Sequence, residues 1–453
     1  MAISADGSTI IAGAPEDCSE DDENVCGGAV YVFEYQGPDL PGDILTVAPV
    51  SANVPTMAPS QTPSAQTMWP TQTSMPTYAF GWEQTNGIFD SVDQELFAAA
   101  VSMSGDGSVL FVGAFENGEY APESGRIVRI DLENEDSELV VYGDAYDFLG
   151  FDVSSNRDGT RVAGYLSSSS VIEVADYNTQ TGLLQQTAQL QTEFNSTSAT
   201  FSLSADGQWL AGVGVIDSTN MLTIKTFQAT SDGQFAPFGQ DISLQPLIDP
   251  PTLDIHLLHD GSFMAISIAG WNGYAGQVRA YRRTATGWEV AGTDLTSAQA
   301  NDFYGKTIRL ARTAENLTLL FVGSPYSNQV FVYKMAETDS EWTPYGDPIV
   351  AGQDFEEQDE FGFDIDTSDN GNRVVVGIRC FDACRGAAQV FEYDGTAFVP
   401  LGQIIAGFAD SYFGEAVDCD ADCNIIAVGA PEDCGDEGCG GSVYVFEGID
   451  NRS

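Results

Sequence analysis

The stretch DEFGFDIDTSDNGNRVVVGIRCFDACRGAAQVFEYDGTAFVPLG (359–402) decides the architecture. It opens on an acidic residue, an aromatic and a glycine, Asp359, Phe361 and Gly362, which start an inner strand. A turn centred on Asn370-Gly371 follows, and Asn-Gly supplies the φ > 0 backbone that a tight hairpin requires. An apolar run to a glycine makes a second strand and AQVFEY (388–393) a third. Phe398, followed by Gly402, marks an outer fourth strand.

Working outward, the same order recurs at a period of roughly 50 residues, the spacing of one repeat unit. Outer-strand aromatics precede a glycine at Phe235 and Gly239, Trp288 and Gly292, and Trp342 and Gly346. Inner strands open at Asp147, Leu149 and Gly150, and at Asp302, Tyr304 and Gly305. Asp-Gly turns stand at 106–107, 158–159, 206–207 and 260–261. Apolar second strands end on glycine in IIAGAP (10–15), LFVGAF (110–115), LFVGSP (320–325) and IIAVGAP (425–431), and GGSVYVFE (440–447) is a further third strand. Four antiparallel strands per repeat, with almost no helical periodicity, predict an all-β chain folded as a seven-bladed β-propeller. The ring is expected over 82–453, closed by strand 82–89 pairing with 440–447. Residues 1–36 read as a partial blade, the end of a preceding propeller, and 37–81 as a Pro/Thr/Ser-rich linker. The alternative is a single eight-bladed ring with the Pro-rich segment inserted in its first blade.

With 67 Asp and Glu against 16 Lys and Arg, the chain carries a formal charge of −51. Such a field repels phosphate backbones and anionic headgroups, so nucleic acid is excluded as a partner. No apolar run is long enough for direct membrane insertion. The expected partners are a protein or glycan surface, or one reached through bridging cations; the oligomeric state is not legible. Hydrophobic residues at 43% are enough for a large core. The two histidines, His256 and His259, are too few for a site built on several imidazoles, and both read as structural.

The eight cysteines fall into four close pairs, Cys18 with Cys26, Cys380 with Cys384, Cys419 with Cys423, and Cys434 with Cys439. Local disulfides are expected at all four, in preference to zinc sites. With sequons at Asn195, Asn316 and Asn451 they point to an extracellular or cell-surface location, the chain itself lacking a signal peptide and reading as a fragment of a longer secreted protein.

The strings GAP (13–15 and 429–431), GSP (323–325) and FG (361–362 and 413–414) give the repeats a resemblance to FG-GAP propellers, the class found in the head of integrin α subunits. The resemblance implies an extracellular adhesive or scaffolding role. It also raises calcium, because FG-GAP blades often carry a DxDxDGxxD loop whose alternating oxygens surround a hard cation. Most turns here are too short for that and read as hairpins. Two retain alternating carboxylates without the last ligand, Asp418, Asp420 and Asp422 in one and Asp364, Asp366 and Asp369 in the other, and these are the candidate metal ligands.

Acidic loops are expected to ring one mouth of the channel, through Asp354, Glu356, Glu357, Asp359 and Glu360, and through Glu432, Asp433, Asp436 and Glu437. The chain shows no nucleophile with its base, no phosphate loop and no assured cofactor. The sequence is therefore read as a non-catalytic extracellular adhesion or recognition scaffold presenting this acidic rim. The alternative is a secreted carbohydrate-active enzyme using channel carboxylates, which would need a carboxylate pair in the channel with aromatics beside it.

Overall fold

The computed structural model describes three strands within residues 2–34 and then Phe80 to Asp450, apart from 86–88, 91–94, 135–138, 196–198, 217, 247–251, 352–358 and 435–439. The chain divides into two compact units, 1–75 and 76–453. In the first, Ala2–Ile3, Thr9–Ala14 and Ala29–Glu34 form a three-stranded antiparallel sheet.

The second unit is a seven-bladed β-propeller whose blades are antiparallel sheets of four strand positions. The inner strands, in chain order, are Phe97–Met103, Val153–Ser155, Thr200–Leu203, Leu253–Leu257, Ile308–Arg312, Phe361–Thr367 and Ala416–Cys419. In the last five blades the outer position is split into two short pieces on one partner, as with Phe398–Pro400 and Ile405–Ala406 on Ala387–Tyr393. The seventh blade takes its outer strand from the start of the ring: Phe80–Gln84 pairs with Ser442–Asp450, Gln84 facing Phe446. This strand begins at Phe80 rather than Trp82, and Phe89–Asp90 returns as its second piece.

Second strands such as Val109–Ala114 and Thr318–Ser324 are buried on every residue, because each is covered by neighbouring blades on both faces. That is why they read as unbroken apolar runs. Each blade boundary holds its own apolar cluster, for example Val375, Val390, Val417 and Ile426 between the sixth and seventh blades. Ala427, Val445, Leu110 and Val128 close the ring between the seventh and the first. Burying one such side chain contributes about 1.5–3 kcal/mol.

Second-strand glycines and FG glycines meet across these boundaries. A Cβ on Gly377 would lie 2.1 Å from the carbonyl oxygen of Gly414 in the next blade, and one on Gly323 would lie 2.4 Å from that of Gly362. The turn signature has an equally local cause. Ser104 Oγ donates to Asp106 and accepts the amide of Val109, closing the hairpin, and Ser204 and Ser368 repeat the arrangement with Trp209 and Arg373. The outer-strand tryptophans latch blades together. Trp288 Nε1 donates to Thr226 Oγ1, Trp342 Nε1 to the Ala291 carbonyl and Trp82 Nε1 to the Leu401 carbonyl, each in the preceding blade.

Candidate functional site

An innermost strand leaves one edge of amides facing the channel, and an unpaired amide there costs about 1–3 kcal/mol. Among the described residues, a channel side chain of one blade satisfies an amide of the next at five of the seven blade boundaries. Ser102 Oγ accepts from Ser155, Ser154 Oγ from Leu203, Ser202 Oγ from Leu257 and His256 Nδ1 from Leu310. Asp152 accepts from Phe201, Asp254 from Ile308, Asp364 from Val417 and Asp366 from Cys419. The fifth blade answers these carboxylates with Arg309, whose guanidinium lies 3.3 Å from Asp254, 3.5 Å from Asp364 and 3.3 Å from Asp366.

Burial dominates the electrostatics. Desolvation opposes the charge on Arg309, but Asp364, Asp254, Asp366 and Asp418 more than restore it, so the guanidinium stays charged. Desolvation raises Asp254 to about 6 in spite of Arg309. It raises Asp152 as well. Asp418 is pushed far above the ordinary range by burial and by Asp366, so it keeps its proton and donates it to the Asp366 carboxylate. His256 is lowered to about 3 by burial and then by Arg309, so its ring is neutral and Nδ1 is free to accept.

Above this belt, where the inner strands begin, the channel opens into a cavity of about 480 Å³. Its wall carries the rings of Phe115, Phe151 and Phe363, and its polar lining includes Asp152, Asp254, Asp364, Glu415, Lys306 and Arg309. Phe115 and Phe151 pack edge to face with centroids 5.2 Å apart, and Phe151 is 64% exposed. Lys306 Nζ sits 4.3 Å over Phe363, and the Arg379 guanidinium lies 4.8 Å from the same ring and 4.6 Å from that of Tyr412. The channel thus brings carboxylates and aromatic faces into one cavity.

The candidate metal ligands are not gathered at one point. Asp364, Asp366 and Asp418 face the channel as described, whereas Asp420 accepts the amides of Asn424 and Ile425, the role Ser104 has in the first blade. Asp369 is drawn into an ion pair with Arg157, and Asp422 contributes its carbonyl to Arg373. The cause is that Asp369, Asp420 and Asp422 lie beyond the ends of the strands Phe361–Thr367 and Ala416–Cys419, in the hairpin turns, where the backbone reverses away from the channel. Among the described residues no group of three or more His, Cys, Asp or Glu is arranged to hold a metal.

Of the expected acidic rim, the structure describes only part. Asp359, Glu360 and Asp433 are buried; Glu360 pairs with Arg379 and Asp433 accepts from the Tyr444 hydroxyl. Glu432 is exposed. Asp354, Glu356, Glu357, Asp436 and Glu437 lie outside the described residues.

Of the cysteines, Cys419 and Cys423 are disulfide-bonded, clamping the hairpin below the channel. Cys434 is also bonded, its expected partner Cys439 lying outside the described residues, as do Cys18 and Cys26. Cys380 and Cys384 are free thiols, contrary to expectation. Their loop needs no cross-link. Asp382, Ala383 and Cys384 take left-handed φ values of 48, 58 and 63°, and Asn272, Gly273 and Tyr274 hold the same conformation in the fourth blade without any cysteine.

Sequence reasoning missed Arg309 and the phenyl rings at the mouth. The signal for the first was present: IRLAR (308–312) sets a base in an inner strand, whereas the inner strands LDIHL (253–257), FGFDIDT (361–367) and AVDC (416–419) carry Asp.

No family model matches the sequence, and no curated protein is similar to it. Among solved structures the chain is similar to a 6-phosphogluconolactonase-like protein from Bacteroides fragilis, with 14% identity, a TM-score of 0.48, and coverage of 69% of this chain and 85% of that one. It is similar to oligogalacturonate lyase from Vibrio parahaemolyticus, with 11% identity, a TM-score of 0.45, and coverage of 81% and 96%. The β-propeller domain of the Trilobed protease from Pyrococcus furiosus is similar at 11% identity and a TM-score of 0.43, over 77% and 93%. The reading of the chain as non-catalytic is withdrawn: one fold hosts unrelated functions, so the lack of a recognisable catalytic motif is no ground for excluding catalysis. At 11–14% identity the likenesses assign no reaction to this chain.

Proposed function

We propose that the protein is an extracellular glycan-recognising propeller, and that a short, neutral oligosaccharide binds in the cavity beneath Phe115, Phe151 and Phe363. The observation that carries this reading is the pairing of aromatic faces with carboxylates in one concave space of about 480 Å³. A sugar presents an apolar C–H face that packs on a phenyl ring, and hydroxyls that donate to carboxylates. Charge argues for a neutral ligand. Asp152, Asp254, Asp364 and Glu415 stand against Lys306 and Arg309, and burial holds Asp152 and Asp254 toward their neutral forms. The disulfide at Cys419–Cys423 supports an oxidising compartment, and the Gly-to-Gly contacts between blades support the FG-GAP likeness.

A second reading is favoured by Asp254. A carboxyl raised to about 6 beside other carboxylates is the arrangement of a general acid with its partner, so the bound glycan would also be cleaved. Glycan-array screening of the full chain, followed by calorimetry, tests both. Binding of a neutral oligosaccharide that Phe151→Ala abolishes supports recognition, and release of shorter products that stops in Asp254→Asn supports turnover. An array without hits, or hits unaffected by Phe151→Ala, contradicts the proposal.

A further inference from the structure

In a chain with 67 acids and 16 Lys and Arg, a guanidinium meets a carboxylate almost by default. Arg126 pairs with Glu95, Arg161 with Asp176, Arg279 with Asp294 and Arg373 with Glu392. Arg129 departs from this, stacked over Tyr177, and so do Arg282, Arg283 and Arg312. Among the described residues none of the last three makes an ion pair, yet all three line one cavity of about 350 Å³ between the fourth and fifth blades. The cavity lies at the end of the ring where inner strands turn into second strands, opposite the phenyl-lined mouth.

Aromatic faces, rather than acids, hold these side chains. Arg283 lies 3.7 Å over the ring of Trp209, and Arg282 and Arg312 lie 5.2 and 5.5 Å from the ring of Phe263. Arg312 Nη2 donates to Ser262 Oγ at 3.0 Å, and Arg283 Nη2 to the Asp260 carbonyl at 3.4 Å. Two buried nitrogens in the lining, Arg282 Nε and His259 Nδ1, have no hydrogen-bond partner. A buried donor left unmet costs about 1–3 kcal/mol, which an acceptor entering the cavity would recover. Asp260 and Glu337 also line the space, leaving three guanidiniums against two carboxylates, and Asp260 already accepts the Ser262 amide. Burial lowers the pKa of Arg312; the carboxylates of Asp260 and Glu337 offset this only in part, and the neighbouring charge of Arg282 lowers it further.

We propose that this cavity is an oxyanion-binding site for a small molecule bearing a sulfate or phosphate ester. Preorganised, unpaired guanidiniums match the oxygens of such a group in a forked geometry that ammonium or amide groups do not reproduce. The volume exceeds that of the bare ion, so the ester's organic body is accommodated beside Phe263. This site is independent of the glycan cavity and of the reading built on it.

The test is calorimetry on the full chain at low ionic strength, titrating inorganic phosphate, inorganic sulfate, glucose 6-phosphate and glucose 6-sulfate against a chloride control. Saturable binding of an oxyanion over chloride is expected, weakened about tenfold or more in Arg312→Gln and in Arg282→Gln, which is about 1.4 kcal/mol or more. The ester bound more tightly identifies which group the site takes. Arg312→Lys retains the charge and is expected to weaken binding too, and it serves if Arg282→Gln does not fold. Equal heats for chloride and oxyanions, or binding unchanged in Arg312→Lys and Arg312→Gln, overturns the proposal.

Discussion

His256 Nδ1 accepts the Leu310 amide at 3.1 Å across the boundary between the fourth and fifth blades. The acceptor exists only while the ring is neutral, and burial with Arg309 beside it keeps the ring neutral down to about pH 3. The unfolded chain takes up this proton near pH 6.5, so the contribution of His256 is fully present above that value and is lost as pH falls toward 3. His256→Asn, whose side-chain oxygen accepts the same amide, is expected to remove this part of the acid sensitivity. Urea midpoints of parent and variant from pH 7 to pH 4 check it: the parent loses stability relative to the variant on acidification.

Asp254 works in the opposite direction. Its folded value of about 6 lies above the ordinary 3.8, so its favourable contribution is complete below pH 3.8 and is lost as pH rises through 6. Asp254→Asn mimics the protonated side chain and is expected to gain on the parent by about 2 kcal/mol between pH 4 and pH 7, because each tenfold change in proton affinity is worth about 1.4 kcal/mol. A pH-independent difference in unfolding free energy would refute this assignment.

The inter-blade glycines set a steric limit. Gly377→Ala places a methyl 2.1 Å from the Gly414 carbonyl oxygen, and the blades cannot part without losing the apolar cluster beneath. A destabilisation of about 2–4 kcal/mol is expected, read as a fall in melting temperature. Gly182→Ala is the contrasting case, strained at a φ of 68° but with nothing within 4 Å of the added methyl, whereas Gly377 is outside the left-handed region and its cost is steric. Gly377→Ala should cost clearly more.

The thiols distinguish two loops of similar sequence. Burial pushes Cys380 up to about 12, so alkylation of the native protein at pH 8 should be slow there and fast after denaturation without reductant. Cys419 and Cys423 should label only after reduction. Peptide mapping by mass spectrometry reads both.

The blade repeat was legible because its cues are local. Asn370-Gly371 fixes a hairpin, Gly323 and Gly377 mark close approach, and the run at 109–114 has the continuous apolar character of a strand covered on both faces. The site was less legible because it is assembled around the ring. Phe115, Phe151 and Phe363 come from three blades, and no spacing in the chain announces that they share a cavity. The acidic strings misled for a related reason. Counting carboxylates does not show that Asp420 closes a hairpin, that Asp433 is buried against Tyr444, or that Asp366 holds an amide of the next blade.

The most direct test of glycan recognition is hydrogen exchange on the full chain with and without a saturating array-selected oligosaccharide. Slowed exchange is expected in peptides covering Phe115, Phe151 and Phe363, and it should vanish in Phe151→Ala. Unchanged exchange at this mouth, or protection confined to the opposite end around His259 and Arg312, would contradict the account.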